Sequence, residues 1–343
     1  MKLQTVFVTG GTGLVGSHLI FDLLQKGYGV KALVRVSSHT QQVRRVFSHY
    51  ASEAAALFEK IEWIEGSLFD YAALCEQVAG CSHAYHCAAV VSFEGSGKSQ
   101  LLAVNIRGTD NIVNACLAQR VPLCFVSSVG ALGRSETGQA VTESDIWQSA
   151  KGRSAYSYSK FKSEMAVWRG IAEGLQAVIV NPAIILGPAD REKGSSAFFS
   201  TIAKGMKFYP PGVNGFVDVR DVSRCMIRLM EEGRYGERYI LSAENWSYYD
   251  LFSRIAAEMK VKAPSIPVGY RTLRVACLLA GIIAGCTGKK PLLTKETVQS
   301  SVRCNRYSSR KVEETIAFNF TPMEKTIENC CSFFGNFKWS HRE

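Results

Sequence analysis

The stretch Val8 to Leu19, VTGGTGLVGSHL, constrains this chain more than any other. It joins a short apolar run, Leu3 to Thr9, to a segment with helical apolar spacing, Leu14 to Gln25. Gly10, Gly13 and Gly16 are spaced G-x-x-G-x-x-G, and Gly11, Gly13 and Gly16 also fit G-x-G-x-x-G. Without a Cβ the turn can tighten and its backbone can approach a pyrophosphate. The helix behind it offers unpaired N–H groups and the positive end of its dipole. Glycine turns also serve purely structural ends, so position decides. This one follows the first strand and opens the first helix of a βαβ unit. It predicts a dinucleotide site, with Gly10, Gly13, Leu14, Val15 and Gly16 against the cofactor.

The alternation continues along the chain. Gly29 to Arg35, Ile61 to Ile64, Ala84 to Cys87, Pro122 to Val126 and Ala177 to Val180 read as strands, and Asn105 to Ala118 and Ala155 to Ile171 as helices. Such alternation predicts an α/β fold, a Rossmann-type doubly wound parallel sheet with helices on both faces. Residues 1–182 form the expected NADP-binding domain. Past residue 182 the pattern loosens around Tyr209-Pro210-Pro211-Gly212. A smaller, mostly helical substrate lobe is expected over 183–343, with some strands and helices returning to the first domain. The spacing of Ile316, Phe318, Phe320 and Ile327 marks the C-terminal segment as packed and not a tail.

Composition narrows the function classes. With 343 residues, 47% hydrophobic and 20% charged, the chain can bury a large core. The net charge of +10 is spread out, with no run of five or six like charges. No basic stripe is interleaved with aromatics, which argues against nucleic acid. A solvated basic surface that also attracts phosphorylated ligands is the expectation. The 11 cysteines include no C-x-x-C pair, and Cys75, Cys81, Cys87, Cys116 and Cys124 fall in apolar runs. They read as small hydrophobes in a reducing cytoplasm, with no metal site. The chain opens Met1-Lys2-Leu3-Gln4 with no signal-peptide pattern. Val275 to Cys286, VACLLAGIIAGC, is apolar over 12 residues, too short to span a bilayer. It reads as a buried or lid helix.

The tip of the second strand bears on the cofactor. An NAD site wants Asp or Glu there for the ribose 2′-OH. Leu33-Val34-Arg35-Val36-Ser37-Ser38 has no acid, and Arg35 can pair with a 2′-phosphate. NADP is therefore the expected cofactor, with NAD the alternative. Tyr156-Ser157-Tyr158-Ser159-Lys160 is a Y-x-x-x-K, which on a helix puts Tyr156 and Lys160 on one face. An adjacent ammonium favours phenolate and draws the tyrosine pKa down from about 10. Upstream, Ser127 and Ser128 end the fifth strand, where ligands of open α/β sheets bind.

These three elements in this order resemble the extended short-chain dehydrogenase/reductase family, the NAD-dependent epimerase/dehydratase superfamily. The resemblance covers most of the chain. His86-Cys87-Ala88-Ala89 resembles the stretch along the cofactor, and Asn105-Ile106-Arg107-Gly108-Thr109 the family's N-x-x-G-T helix. Asn181-Pro182 to Gly187-Pro188 resembles its loop near the nicotinamide, which implies contacts from Pro182 and Ile184. Ser127-Ser128-Val129-Gly130-Ala131-Leu132-Gly133 aligned on the family pattern makes Ser128 the catalytic serine, beside Tyr156 and Lys160. Lys160 is also implied to hold the nicotinamide ribose. Phe216 to Val222 resembles a structural element in which Asp221 caps the next helix. One departure stands out: Gly66-Ser67-Leu68 offers Ser67 where many members carry Asp, leaving Ser67, Leu68 and backbone groups for the adenine.

Within the family, dehydratases carry acids directly after the catalytic Ser/Thr, whereas Val129 and Gly130 follow Ser128. Phe93, Leu132, Trp147, Phe198, Phe199, Tyr209 and Phe216 are candidates for an apolar pocket or for core, with Phe93, Leu132 and Phe198 the substrate-binding choices. Arg191 and Lys193 are candidates for a diphosphate, but no basic cluster stands out in the lobe. The chain thus resembles the dihydroflavonol-4-reductase and 3β-hydroxysteroid-dehydrogenase branch. That implies an oxidoreductase acting on a carbonyl or secondary alcohol of a largely apolar small molecule. The alternatives are a nucleotide-sugar epimerase with tightly bound NAD and a non-catalytic NADP-binding regulator. The resemblance also implies a homodimer built on the helices near Asn105 and Tyr156.

Overall fold

The computed structural model describes residues 4–36, 38, 40–91, 97–135, 138–149, 152–274, 298 and 301–335. The first half runs β1 (Thr5–Thr9), α1 (Leu14–Gln25), β2 (Gly29–Val34), α2 (Gln41–Tyr50), α3 (Ala54–Phe58), β3 (Ile61–Glu65), α4 (Tyr71–Val78) and β4 (His83–His86). Then come α5 (Gly97–Leu102), a π-helical turn (Ala103–Arg107), α6 (Gly108–Gln119), β5 (Leu123–Val126), a 3-10 turn (Val129–Ala131), α7 (Ala155–Ala172) and β6 (Ala177–Pro182). The rest is β7 (Ile184–Leu186), α8 (Ala197–Ala203), β8 (Phe208–Tyr209), β9 (Val213–Asp218), α9 (Val219–Glu231), β10 (Glu237–Leu241), β11 (Glu244–Ser247), α10 (Tyr248–Glu258), β12 (Ile266–Pro267), α11 (Arg310–Ile316) and α12 (Met323–Gly335).

Seven parallel strands form the main sheet in the order β10-β6-β5-β4-β1-β2-β3. Their side chains alternate between two cores, as period-two pleating requires. Val6 and Val8 of β1 and Cys124 of β5 face one core, with Leu19 and Leu23 of α1 and Met226 of α9. Phe7, Leu123 and Phe125 face the other, with Leu74 of α4, Val113 of α6 and Val167 of α7. The central strands β5 and β6 are buried along their whole length. That explains why they read as continuous apolar runs and not as alternating ones.

The lobe adds short strands to its helices. Three strands form a second sheet in the order β11-β9-β7, and β8 pairs with β12. Leu186, Phe199, Phe216, Leu251 and Ile255 pack there with Ile327 and Phe334 of α12. β10 pairs with β6 in the main sheet, and α9 packs beside α1 in the first core. The C-terminal segment is packed: Ile316 and Phe318 join the first core and Ile327 the lobe. Asp221 does not cap α9. Asp218 does, accepting from the Arg220 amide at 2.8 Å, because the helix starts at Val219 and a cap must stand just outside it. Asp221 lies inside, buried, taking the Thr321 amide at 2.6 Å and pairing with Arg224. Among the described residues no helix is long and apolar enough to cross a membrane. Val275 to Cys286 lies outside them.

Candidate active site

Strand order reverses between β1 and β4, whose following helices cover opposite faces. The crevice beyond their carboxyl ends is where such sheets bind ligands. β1 ends in Gly10, whose φ is +73°. A Cβ there would meet the Ala88 backbone nitrogen at 2.6 Å, and one on Gly16 would strike the Gly10 carbonyl. Gly13 donates its N–H to Gly10 O at 3.0 Å and stands at the cap of α1, where no side chain takes the free amides. These bare donors on a turn without side chains fit a dinucleotide diphosphate. Leu14 and Val15 form the first turn of α1, and a Cβ on Gly187 would press on Leu14 at 3.3 Å. The Pro182–Ile184 junction between β6 and β7 runs into that same loop.

The segment after β4 lies along the glycine turn. Cys87 N donates to Thr9 O at 3.1 Å and Ala88 N to Thr9 Oγ1 at 3.4 Å, with Ala89 next in line. Burial pushes the Cys87 thiol up to about 12. Arg35 stands exposed directly after β2. Ser67 is exposed after β3, and its Oγ accepts from the Phe69 amide at 3.2 Å, forming a turn. Leu68 is held over Gly108, and its carbonyl takes Asn111 Nδ2 at 2.8 Å. Phe93 lies outside the described residues.

Beyond β5 the two serines part ways. Ser127 Oγ is buried and donates to Glu164 at 2.6 Å. Ser128 caps the 3-10 turn, accepting from Gly130 N at 3.0 Å, and faces the Tyr156 hydroxyl closely enough to influence its ionisation. Tyr156 sits in the first turn of α7, which Ser154 caps by accepting from Ser157 N at 2.9 Å. Lys160, one turn on, is buried and donates Nζ to the Val126 carbonyl at 2.6 Å. Burial lowers Lys160 to about 8, against upward pulls from Cys87 and Glu164. Tyr156 differs from the expectation. Burial raises it to about 12, and the smaller downward pull comes from Ser128 and not from Lys160. Desolvating the phenolate outweighs any neighbouring charge here.

Residues 6–242 match the profile of the NAD dependent epimerase/dehydratase family. The chain belongs to that family. It is an NAD(P)-dependent enzyme of the extended short-chain dehydrogenase/reductase type. It is 29% identical over 341 residues to a putative dihydroflavonol 4-reductase of Synechocystis sp., covering 96% of this chain and 94% of the relative. It is 31% identical over 313 residues to sterol demethylase protein B of Methylococcus capsulatus, covering 90% and 88%. The crystal structure of gox2253 superposes with a TM-score of 0.81 at 27% identity, covering 97% and 98%.

This epimerase/dehydratase-family enzyme also has a polar scaffold that sequence reasoning missed. Glu164 is 1% exposed and takes Ser127 Oγ, Asn181 Nδ2 at 2.8 Å and Arg238 Nη1 at 2.9 Å. Asn181 Nδ2 also reaches Ser128 O at 3.0 Å, so one network ties α7 to the ends of β5 and β6. Its spacing was a usable signal: Glu164 lies four residues past Lys160, on the same helix face. Asn105 lies in the π-helical turn, a feature that favours functional sites. It clamps Val90 N at 2.7 Å and Ser159 Oγ at 2.9 Å. His86 is buried between Thr9 at 2.6 Å and Thr109 at 3.0 Å. Thr109 donates to Asn105 O, so His86 carries its proton on Nε2.

The aromatic candidates divide. Phe199 and Phe216 are fully buried core, and Leu132 is buried against Val141 and Ile240. Trp147 stacks on Phe161 at 4.5 Å. Phe198 is half-buried beside Tyr248 and Phe252, and Tyr209 lies against Tyr249.

Proposed function

We propose that this enzyme is an NADP(H)-dependent reductase acting on the carbonyl, or in reverse the secondary alcohol, of a largely apolar small molecule. The observation that carries the reading is Ser128 at the end of β5 facing Tyr156 in the first turn of α7, with Lys160 buried one helical turn away. When bound, the nicotinamide supplies or takes the hydride. Ser128 donates a hydrogen bond to the substrate oxygen and stabilises its growing negative charge. Tyr156 gives that oxygen its proton. A phenol held near 12 stays protonated throughout the neutral range, which suits an acid. In oxidation Tyr156 is the base. Lys160 orients the ribose, and Glu164 holds α7 and the Ser127–Ser128 strand end in fixed relation. Residues 1–182 hold the cofactor, with Arg35 on the 2′-phosphate, and the lobe over 183–343 holds the substrate through Phe198. A cytoplasmic homodimer through the helices bearing Asn105 and Tyr156 belongs to the same reading.

Titration of the purified protein with NADPH and NADH, after its absorbance is checked for retained nucleotide, tests the cofactor. NADPH should bind at least tenfold tighter, and Arg35→Ala should remove the preference. Retained NAD(H) without that preference would favour an epimerase. A panel of aromatic and aliphatic carbonyls tests the reaction. Tyr156→Phe should lower turnover by about 100- to 10,000-fold while NADPH binding survives.

A further inference from the structure

The lobe carries a two-stranded ribbon in which Phe208 of β8 pairs with Ile266 of β12. Ser265 N and Ile266 N both donate to Lys207 O at 3.1 Å, and Val268 N donates to Tyr209 O at 2.9 Å, which fixes the register. One side of the ribbon is anchored. Tyr209 packs on the lobe core, as do Val261 and Ala263 on the approach to β12. Successive side chains of a strand point to opposite faces, so Phe208 points away from that core and its register partner Ile266 goes with it. Phe208 is 53% exposed and Ile266 45%. Tyr249, whose ring lies 4.7 Å from that of Tyr209, is half-exposed, and so is Tyr270 just past β12. Single exposed apolar side chains are ordinary, but several on one short ribbon and its flanks mark a contact surface.

The charge around these side chains has one sign. Lys204 and Lys207 precede β8, Lys260 and Lys262 precede β12, and Arg271 and Arg274 follow it, all six of them exposed. Residues 203–217 and 259–274 contain no Asp or Glu. Among the described residues none of the six is in an ion pair. The acids closest in sequence to Tyr249 and Lys260 are engaged: Asp250 accepts from Ser247 Oγ at 2.6 Å, and Glu258 stands 3.7 Å from Arg254. Lys204 and Lys260 stand just past α8 and α10, where the helix dipole favours a cation. No such reason covers Lys207 or Lys262, and Arg271 stands in the first turn of a helix, where the dipole opposes a cation. Apolar and tyrosine side chains rimmed by free cations suit a layer of anionic headgroups, which the apolar groups enter while the cations meet phosphates. A fluid headgroup layer satisfies cations at any spacing, whereas a folded acidic partner would need a carboxylate placed for each.

We propose that the β8–β12 ribbon docks the enzyme on an anionic lipid surface, with Phe208 and Ile266 entering the headgroup layer and Lys207 and Lys262 meeting its phosphates. The contact is peripheral, since no described helix can cross a bilayer. The proposal stands apart from the reductase reading, although an apolar substrate of that kind would gather in the same layer.

The test is co-sedimentation of the full chain with vesicles of phosphatidylcholine alone, or with about 30% phosphatidylglycerol, at about 0.1 M salt. Partitioning should be about tenfold stronger on the anionic vesicles and should fall when salt is raised to about 0.5 M. Phe208→Ser/Ile266→Ser and Lys207→Glu/Lys262→Glu should each weaken it by about tenfold or more. Lys60→Glu/Arg120→Glu makes the same charge change at the amino ends of β3 and β5 and should lower partitioning by no more than about twofold. Near-ultraviolet circular dichroism and thermal melts report whether each variant is folded. If a double variant misfolds, Phe208→Ser or Lys262→Glu alone takes its place, with an expected loss of about threefold. Absence of the protein from the anionic pellet overturns the proposal. So does equal partitioning on neutral vesicles, or binding that the folded ribbon variants retain. Binding of a poly-glutamate peptide at the ribbon with no vesicle binding assigns the surface to an acidic protein and also overturns it.

Discussion

Two groups of arginines border α7, and their surroundings differ. Behind the middle of the helix, Arg238 is 12% exposed and faces Glu164 at 2.9 Å, with Glu143 O as a further acceptor at 2.9 Å. Every charge there has its partner. At the N-terminal end, Arg134, Arg153 and Arg303 have one carbonyl and one aromatic face among them in place of a carboxylate. Buried charge persists only when neutralised, so the first group is read as scaffold. The second is tolerated because it is partly solvated: Arg134 is exposed and Arg153 and Arg303 are half-buried. Lys160 falls between the two, buried, with the Val126 carbonyl and the face of the Phe125 ring as partners in place of a carboxylate in contact. The contrast separates charges held by a carboxylate from charges that water keeps.

The contrast breaks most visibly at Glu164. Glu164→Ala leaves Arg238 buried without its carboxylate and should cost about 3–5 kcal/mol in urea unfolding. A loss below about 1 kcal/mol would mean the network is not structural. Next come the buried histidines of the scaffold. Burial lowers His86 to about 3 and His18 to about 4, from 6.5. Both stay neutral in the folded protein while the unfolded chain takes up protons. Their stability contribution is full above pH 6.5 and is lost as the pH falls toward 4 and then 3. In His86→Gln the slope of stability against pH between 6 and 4 should flatten by about 1.4 kcal/mol per pH unit. An unchanged slope would refute the buried neutral assignment.

Lys160 tests the middle ground. Its folded pKa, about 8, lies below the ordinary 10.5, so the folded protein sheds this proton first and stability rises with pH across that interval. Lys160→Met should therefore be more stable than the wild type at pH 7, with the advantage fading between pH 8 and 10.5. Thermal melts at three pH values would show it, and a constant difference would count against it. The smallest effect belongs to the partly solvated group. Arg303→Gln should change stability by no more than about 1 kcal/mol, since it removes repulsion along with some packing. A loss comparable to that of Glu164→Ala would erase the distinction between the two groups.

Much of the frame was legible in advance. The helices from Leu14 and Ala155 begin where spacing put them, and the second, fifth and sixth strands agree to within two residues. These elements carry local signals: a glycine turn, a serine cap, apolar runs between polar ends. The second sheet of β7, β9 and β11 was not legible. Those strands are short, and they exist through partners distant in sequence, as in Phe216 against Ile184. The π-helical turn at Asn105 was hidden as well, because a helical pattern does not reveal one extra residue in a turn. Asp221 was misread as a cap because the helix start, two residues earlier, depends on how β9 ends.

From the sequence alone followed the α/β alternation, the glycine turn after the first strand, and the order of serine, tyrosine and lysine. Each is a matter of spacing along the chain, which the 2.0 and 3.6 periods of the backbone convert directly into shared faces. Only the tertiary structure decided which charges meet. Ser128 turns to Tyr156 while Ser127 turns to Glu164, and Glu164 finds Arg238 across 74 residues. Lys193 is paired with its near neighbour Asp190, whereas Arg153 rests on the face of Trp147. Neutralisation depends on distances of a few ångströms and on exclusion of water, and only the packed fold sets either.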